Sequence, residues 1–307
     1  MASRYDASMP MRRSRTKRSR RGKRLELTAR DLAIFRLLGQ YRYLSSTYLH
    51  AFVGGRSAKR FVERLGDLYH EGYIDRPAIQ WQEANCRHRP AVYEISSKVR
   101  AALGEAGVEA LPRTYLAQGA HRQFRHSLLI CEVLASIELG VLAADGVRFI
   151  PWPEILARAP AATRALSIPF RLPLPSGGFL VPDAIFGLEY GAGADKAYRF
   201  FALEVDRGTM PVARAATGQS SYAKKLALYR EVLDAHVYKT HLGVSALIVL
   251  TVTSGERRLA RVTTYAPEPS EMFLFAAVES EGLLAPAPRL FLDPWLRRAH
   301  PPLLIAV

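Results

Sequence analysis

The sequence contains little cysteine and no long apolar run, and both absences narrow the classes of protein that it could encode. Its 307 residues include only two cysteines, Cys86 and Cys131, so no disulfide framework is expected and a reducing, cytoplasmic compartment is predicted. The longest apolar run, residues 244–252, is too short to cross a bilayer. The basic N-terminus is not followed by the apolar stretch of a secretory signal. We therefore expect a cytoplasmic protein without a membrane partner.

Acidic residues are scarce relative to basic ones, with 28 Asp and Glu against 43 Lys and Arg, which gives a formal net charge of +15. Residues 1–24 carry ten of the basic residues and a single acid, Asp6. A segment of this composition repels itself and has little to bury, so we predict a disordered basic arm over residues 1–24. Such an arm would attach the chain to nucleic acid by neutralising phosphates. A solubilising tail and a contact for anionic lipid are the alternatives.

Residues 25–115 have the pattern of a small domain made of three helices and a hairpin. The first helix is predicted to begin after Thr28, its N-cap, with Asp31 three residues later. Two further helices and two strand-like runs follow at about residues 45–53, 57–72, 73–82 and 89–98. This order is that of a winged helix-turn-helix domain, in which the third helix enters the major groove and the wing touches the adjacent backbone.

Basic residues occur in this domain where such a module would contact DNA. They belong to the start and outer face of the third helix and to the tip of the wing, and they are Arg56, Lys59, Arg60, Arg64, Arg87 and Arg89. We predict double-stranded DNA as the partner of this domain, with docking of another protein as the alternative. Cys86 and His88 at the wing tip are too few for structural zinc, which takes four ligands.

Three carboxylates interrupt apolar runs in the remaining chain, where helical and strand-like segments alternate. Asp183 follows Pro182 in one predicted strand, and Glu204 and Asp206 stand two residues apart in the next. A period of two places Glu204 and Asp206 on one face, and strands consecutive in the sequence are commonly neighbours in the sheet. The three carboxylates can then converge, and Mg²⁺ or Mn²⁺ would relieve their repulsion and their desolvation. Each acid taken singly also has a structural interpretation, such as capping of a turn by Asp206.

These segments resemble the PD-(D/E)xK nuclease superfamily, whose core is a helix, a three-stranded antiparallel meander, a helix and a further strand. The first acid of its motif matches Asp183 and the second matches Glu204, but Asp206 stands where the motif has lysine. In that superfamily the lysine can migrate to the following helix, so the resemblance implies Lys225. Tyr229 lies four residues later on the same helical face.

Both halves of the chain together resemble the replication-relaxation family of plasmid proteins. The resemblance covers about residues 25–235 and lies in residues 27–44 and 64–76, His126, PDAIF at 182–186, EVDRGT at 204–209 and KKLALY at 224–229. That family is associated with plasmid replication and mobilisation, and some members are relaxases that nick a transfer origin. The resemblance implies that the metal is held by Asp183, Glu204 and Asp206. It implies catalytic roles for Asp183, Glu204, Lys225 and Tyr229.

The sequence therefore predicts a mixed α+β or α/β chain of three parts. They are the basic arm at 1–24, the winged helix-turn-helix domain at 25–115 and a restriction-endonuclease-like mixed sheet flanked by helices at 116–307. The expected function is binding of a plasmid or mobile-element DNA site and metal-dependent nicking of it, with other DNA-processing proteins as further partners.

Two alternatives to metal-dependent nicking remain at this point. A non-catalytic initiator or regulator could retain the nuclease fold as a scaffold, because the motif lysine is replaced. Attack on phosphate by Tyr222 or Tyr229 is a second mechanism. The best-known relaxases that use tyrosine carry a His-hydrophobic-His metal motif, and this sequence has none.

Overall fold

The computed structural model describes residues 13–20, 22, 25–82, 85–99, 121–193, 195–213, 221–279 and 283–307. The chain forms two compact units, Met1–Leu111 and Pro112–Val307. Helices and a mixed sheet make up their secondary structure, which confirms the predicted α+β class. The predicted boundary between residues 115 and 116 lies outside the described residues. Within the described ranges, each helix is too short or too polar to span a membrane.

The first unit contains three helices and a small antiparallel sheet. The helices are Ala29–Tyr41 (α1), Ser46–Val53 (α2) and Ala58–His70 (α3), and the strands are Leu44–Ser45 (β1), Ile74–Asp75 (β2) and Val92–Ile95 (β3). The sheet order is β1-β3-β2. The predicted capping box begins α1, since Asp31 N–H donates to Thr28 Oγ1 at 3.3 Å and Thr28 N–H donates to Asp31 Oδ2 at 2.8 Å.

The core of this unit consists of apolar side chains that repeat at helical spacing in α1 and α3. These buried residues include Ile34, Phe35, Leu38, Phe61, Leu65 and Leu68. The opposite face of α3 is charged and exposed, as the sequence pattern indicated. Burial of one stripe therefore fixes which side of α3 faces solvent.

The strands after α3 are shorter than the sequence predicted. Residues 73–82 contribute only β2 to the sheet, and a 3-10 helix, Ala78–Gln82, follows it. Pro77 lies at this break and has no N–H to continue a ladder. The buried Gln80 side chain supplies the missing pairing, because it accepts from Val92 N–H at 2.8 Å and donates to the Val92 carbonyl at 2.9 Å. A side-chain amide thus takes the place of strand backbone.

Residues 13–20, part of the predicted disordered arm, contact later residues of the first unit. Arg13 forms an ion pair with Asp67 at 2.7 Å, and Arg18 donates to the Tyr69 carbonyl at 2.9 Å. Composition alone could not reveal these fixed partners, because they lie about 50 residues away in the sequence. The other residues of the predicted arm, except Gly22, lie outside the described residues.

The second unit is built on a seven-stranded mixed sheet flanked by helices. The helices are His121–Leu142 (α4), Trp152–Arg158 (α5), Ala161–Arg164 (α6), Tyr222–Asp234 (α7), Val237–Leu242 (α8), Glu256–Thr263 (α9) and Arg289–Leu292 (α10). The strands are Val147–Ile150 (β4), Leu172–Pro173 (β5), Phe179–Leu180 (β6), Ala184–Tyr190 (β7), Ala197–Asp206 (β8), Ile248–Ser254 (β9), Phe273–Val278 (β10), Trp295–Arg297 (β11) and His300–Leu303 (β12). The sheet order is β12-β11-β10-β9-β8-β7-β4, and β5 pairs separately with β6.

The centre of this sheet combines an antiparallel half with a parallel half. Strands β4, β7 and β8 pair antiparallel, whereas β9 pairs parallel with both β8 and β10. Helices α7 and α8 lie between β8 and β9 in the chain, and α7 packs its apolar face into the core beside these strands. Strand β9 is buried along almost its whole length, as suits a continuous run of β-branched residues in the middle of a sheet. The C-terminal tail, for which the sequence suggested no placement, contributes β11 and β12 at the sheet edge.

Candidate functional site

Two of the predicted acids meet because their strands are neighbours. Ala184, the first residue of β7, pairs with Leu203 of β8, so Asp183 lies beside Glu204 across the antiparallel pair. Backbone hydrogen bonds extend the pairing past the end of β7, because Asp183 N–H donates to the Leu203 carbonyl at 3.1 Å. Val205 N–H in turn donates to Asp183 Oδ2 at 2.8 Å. The strand register therefore fixes the Asp183 carboxylate against β8.

Helix α7 supplies a lysine and a tyrosine to the same point. The helix begins after Ser221, its N-cap, and a spacing of four residues places Lys225 and Tyr229 on one face. Lys225 Nζ forms an ion pair with Glu204 Oε2 and lies 3.9 Å from Asp183 Oδ1. The hydroxyl of Tyr229 donates to Glu204 Oε1 at 2.5 Å. One ammonium group thus bridges the two carboxylates.

The surroundings of Glu204 favour its protonated form. Burial raises the pKa of this carboxyl, and the negative charge of Asp183 raises it further, to about 8. Lys225 and the hydrogen bond from Tyr229 act in the opposite direction but do not outweigh burial. Near neutral pH the pair of carboxylates therefore carries about one negative charge, and a bound cation would compete with the proton on Glu204.

The surroundings of Asp183 favour its ionised form. Burial pushes the pKa of this carboxyl upward, but Lys225, His126 and the N–H of Val205 outweigh that effect and lower it to about 2. His126, in α4, places Nε2 3.1 Å from Asp183 Oδ1. Asp183 is accordingly the permanently charged member of the site.

Asp206 lines the same cavity as Asp183 and Glu204, but its carboxylate is held by other groups, so the three-carboxylate metal site stays a prediction. Arg258 Nε donates to Asp206 Oδ2 at 2.5 Å, and Gly208 N–H donates to Asp206 Oδ1 at 3.0 Å. The described residues contain no group of three or more His, Cys, Asp or Glu side chains placed to hold a metal ion. Asp206 differs because a guanidinium from α9 neutralises it, and nothing local in the sequence signalled that partner.

An open cavity of about 730 Å³ connects these groups with solvent. Its lining residues are Arg125, His126, Asp183, Glu204, Val205, Asp206, Arg207, Thr209, Met210, Tyr222 and Lys225. Three carboxylates therefore face three cationic side chains and a histidine around one opening. A mixed lining of this kind suits a charged ligand that carries its own counter-ion.

Both tyrosines considered as nucleophiles are buried with their hydroxyls occupied. Tyr229 is 0% exposed and donates to Glu204, and burial raises its pKa well above the ordinary value. Tyr222 is 3% exposed and shares a hydrogen bond of 2.9 Å with Thr251 Oγ1. Each hydroxyl is therefore engaged in a hydrogen bond within the fold, and that of Tyr229 orients the Glu204 carboxyl.

Most of the predicted DNA-contacting residues of the first unit face solvent. Arg56, Lys59 and Arg60 are exposed at the start of α3, and Arg87 is exposed in the loop between β2 and β3. The main-chain carbonyl of Arg87 accepts a hydrogen bond from Arg15 at 2.7 Å.

Arg64 is used within the unit, which separates it from the other predicted contacts. It donates to Asp31 Oδ1 at 3.1 Å, to Asp31 Oδ2 at 2.6 Å and to the Glu26 carbonyl at 2.7 Å. Asp31 is 1% exposed, so its charge needs this partner. In this arrangement the Arg64 guanidinium ties α3 to α1 and is not presented to a phosphate.

A family model described as replication-relaxation matches residues 35–248, more than two thirds of the chain. The match reaches from α1 to the start of β9 and includes Asp183, Glu204 and Lys225. It ends before Arg258. No curated protein and no solved structure matches the chain.

Proposed function

The chain belongs to the replication-relaxation family, and from this premise we propose that it binds a DNA site through its first unit and nicks one strand in its second. A role in the replication of plasmids or mobile elements follows from the family itself. The observation that carries the nicking proposal is the convergence of Asp183, Glu204 and Lys225 at an open cavity. The substrate class is a DNA phosphodiester.

The order of elements around the site supports a nuclease relationship. A helix (α4), three antiparallel strands (β4, β7 and β8), a helix (α7) and a parallel strand (β9) occur in this order, with α5, α6, β5 and β6 inserted after β4 and α8 after α7. This is the order of the PD-(D/E)xK core that the sequence resembles. The two motif acids stand on adjoining strands, and Lys225 reaches them from the helix to which the motif lysine can migrate.

The donor set at the site fits Mg²⁺ or Mn²⁺ with two carboxylates, from Asp183 and Glu204. Mg²⁺ is commonly held by one or two carboxylates and completes its shell with water and substrate oxygens, so a third carboxylate is not required. When bound, such an ion would supply a water of lowered pKa and polarise a phosphoryl oxygen. The bridging ammonium of Lys225 marks the point between the two carboxylates where positive charge is stabilised.

The chain's own residues have separable roles in this proposal. His126 contacts one oxygen of the Asp183 carboxylate, and the N–H of Val205 donates to the other oxygen. Together they fix the orientation of this carboxylate. Tyr229 does the same for Glu204. Lys225, once displaced from Glu204, can stabilise the negative charge that develops on the phosphate.

The first unit supports the DNA-binding part of the proposal. Three helices followed by a short hairpin are the elements of a winged helix-turn-helix, and exposed cations occupy the start of α3. We propose that α3 reads the major groove through Lys59 and Arg60 and that Arg87 contacts the backbone.

A non-catalytic DNA-binding regulator is the second candidate, favoured by one observation. Asp206 stands at the position of the motif lysine and is neutralised by Arg258 rather than exposed to a metal. Such a protein would bind a specific fragment and leave it intact.

Nicking of supercoiled plasmid DNA with added Mg²⁺ or Mn²⁺ distinguishes the two candidates. We expect nicking by the unaltered chain and a loss of at least about 100-fold in Asp183→Asn and in Glu204→Gln, because removing even a supporting partner of a metal ligand costs about 10–100-fold. Asp234→Asn is the matched control, since it removes an exposed carboxylate of α7 away from the cavity. Full nicking by Asp183→Asn and Glu204→Gln would refute the proposed site, and specific binding without nicking would establish the regulator.

A further inference from the structure

The loop that follows β8 is held in place by a buried ion pair. Arg258 donates to Asp206 through Nε and to the Met210 carbonyl through a terminal nitrogen, each at 2.5 Å. The same carboxylate accepts from Gly208 N–H, and Gly208 has a φ of +72°, which turns the chain tightly. Two hydrogen bonds from Arg258 thus fix residues 206–210 to helix α9, and a third closes the turn within the loop.

The pair is shielded from water, so it constrains the loop strongly. The side chains of Asp206 and Arg258 are 3% and 14% exposed. Removal of one partner from a buried pair leaves an uncompensated charge, which makes the arrangement costly to break. Such a pair contributes little net stability compared with apolar packing, so a role in placing the loop is a better explanation for it.

The fixed loop forms one side of the cavity that contains the two carboxylates. Arg207, Thr209 and Met210 line this cavity together with Asp183 and Lys225. Arg258 neutralises Asp206, which lowers the negative charge on this side of the cavity. Arg207 contributes a guanidinium and Thr209 a hydroxyl to this side of the cavity, and both are donors suited to phosphate oxygens.

We propose that residues 207–210 form a subsite for the backbone phosphate adjacent to the one at Asp183 and Glu204. In this subsite Arg207 contacts the phosphate, and Arg258, acting through Asp206, is a positioning residue. The inference rests on the proposed function for the identity of its ligand, a nucleic-acid strand. It gives Asp206, the departure from the nuclease motif, a role in substrate binding instead of metal binding.

The test measures binding of a labelled DNA duplex by the full chain in EDTA, with the salt concentration varied. Each phosphate contact contributes about 0.7–0.9 to the slope of log affinity against log salt. We expect Arg207→Gln to reduce the slope by about that amount. Arg258→Met should reduce it similarly, because the loop is released. Arg257→Gln, which removes an exposed charge from the same helix but not from the cavity, should leave the slope unchanged.

Thermal unfolding of the same variants separates the subsite from a purely structural pair. Arg207→Gln keeps the Asp206–Arg258 pair, so the loop should stay attached to α9 and the variant should unfold as a folded protein does. An unchanged salt slope in Arg207→Gln would refute the proposed phosphate subsite. A folded Arg258→Met protein of lower unfolding temperature but unchanged slope overturns the positioning role. The binding assay contains no divalent cation, so its result does not depend on whether the chain nicks plasmid DNA. An unchanged salt slope would therefore refute the subsite without refuting the nicking proposal.

Discussion

Replacement of Lys225 by methionine tests the idea that an ammonium group occupies the place of a cation. The substitution preserves most of the side chain and removes the charge that bridges Glu204 and Asp183. Loss of one partner from a buried ion pair costs about 3–5 kcal/mol. The Lys225 side chain is 26% exposed, so we expect the lower end, about 3 kcal/mol, when both carboxyls are ionised.

The pH dependence of this loss follows from Glu204, whose pKa is raised to about 8 in the folded chain. Below pH 8 the folded state keeps a proton on Glu204 with or without Lys225. This limits the free energy of unfolding that Lys225→Met loses. Above pH 8 the unaltered chain ionises Glu204 against Lys225, whereas the variant retains the proton because its pKa rises further. The variant therefore continues to lose stability as pH rises, by at most about 1.4 kcal/mol per pH unit.

Urea unfolding followed by tryptophan fluorescence measures this effect in the second unit. A Trp81→Phe background removes the tryptophan of the first unit and leaves Trp152 and Trp295 as reporters. We expect a deficit of about 3 kcal/mol at pH 9 for Lys225→Met and a smaller one at pH 6. Lys224→Met, which removes the exposed neighbouring charge, should show no deficit at either pH.

Added Mg²⁺ should stabilise the variant more than the unaltered chain, because the ion takes the position that the ammonium vacates. A ligand at 100 times its Kd adds about 2.7 kcal/mol to the free energy of unfolding. A deficit below about 1 kcal/mol at pH 9, or equal stabilisation of both proteins by Mg²⁺, would refute the reasoning.

Three further outcomes are expected. Lys59→Ala with Arg60→Ala should weaken duplex binding and lower its salt slope by up to about 1.8, measured by fluorescence anisotropy, with urea unfolding unchanged. Arg64→Ala should destabilise the first unit by about 3 kcal/mol in urea unfolding, because it leaves a buried carboxylate unpaired. Tyr229→Phe should cost about 1–3 kcal/mol in the same assay, since it leaves a buried oxygen of Glu204 without its hydrogen bond. If either Arg64→Ala or Tyr229→Phe were as stable as the unaltered chain, the contacts assigned to that residue would be contradicted.

Features encoded by local spacing could be predicted from the sequence. The capping box of Thr28 and Asp31 depends on residues three apart, and the common face of Lys225 and Tyr229 on residues four apart. The meeting of Asp183 with Glu204's strand followed from consecutive strands pairing. In each case a single periodicity or connection rule decides the geometry.

Features set by partners distant in the sequence could not be predicted. Asp206 pairs with Arg258, which lies 52 residues away, and Arg64 pairs with Asp31, which lies 33 residues away. The sequence shows that such side chains are charged but not which opposite charge the fold brings to them. Gln80 likewise pairs with Val92 through a side chain, which no strand pattern reveals. The tertiary fold, rather than local propensity, determines the partners of these side chains.

Titration of Mn²⁺ into the chain, followed by electron paramagnetic resonance, tests the central claim most directly. The claim is that two carboxylates, those of Asp183 and Glu204, hold the ion and that Asp206 does not. We predict one bound Mn²⁺ per chain, loss of that ion in Asp183→Asn and in Glu204→Gln, and its retention in Asp206→Asn. Absence of a bound ion in the unaltered chain, or equal loss in Asp206→Asn, would contradict the account.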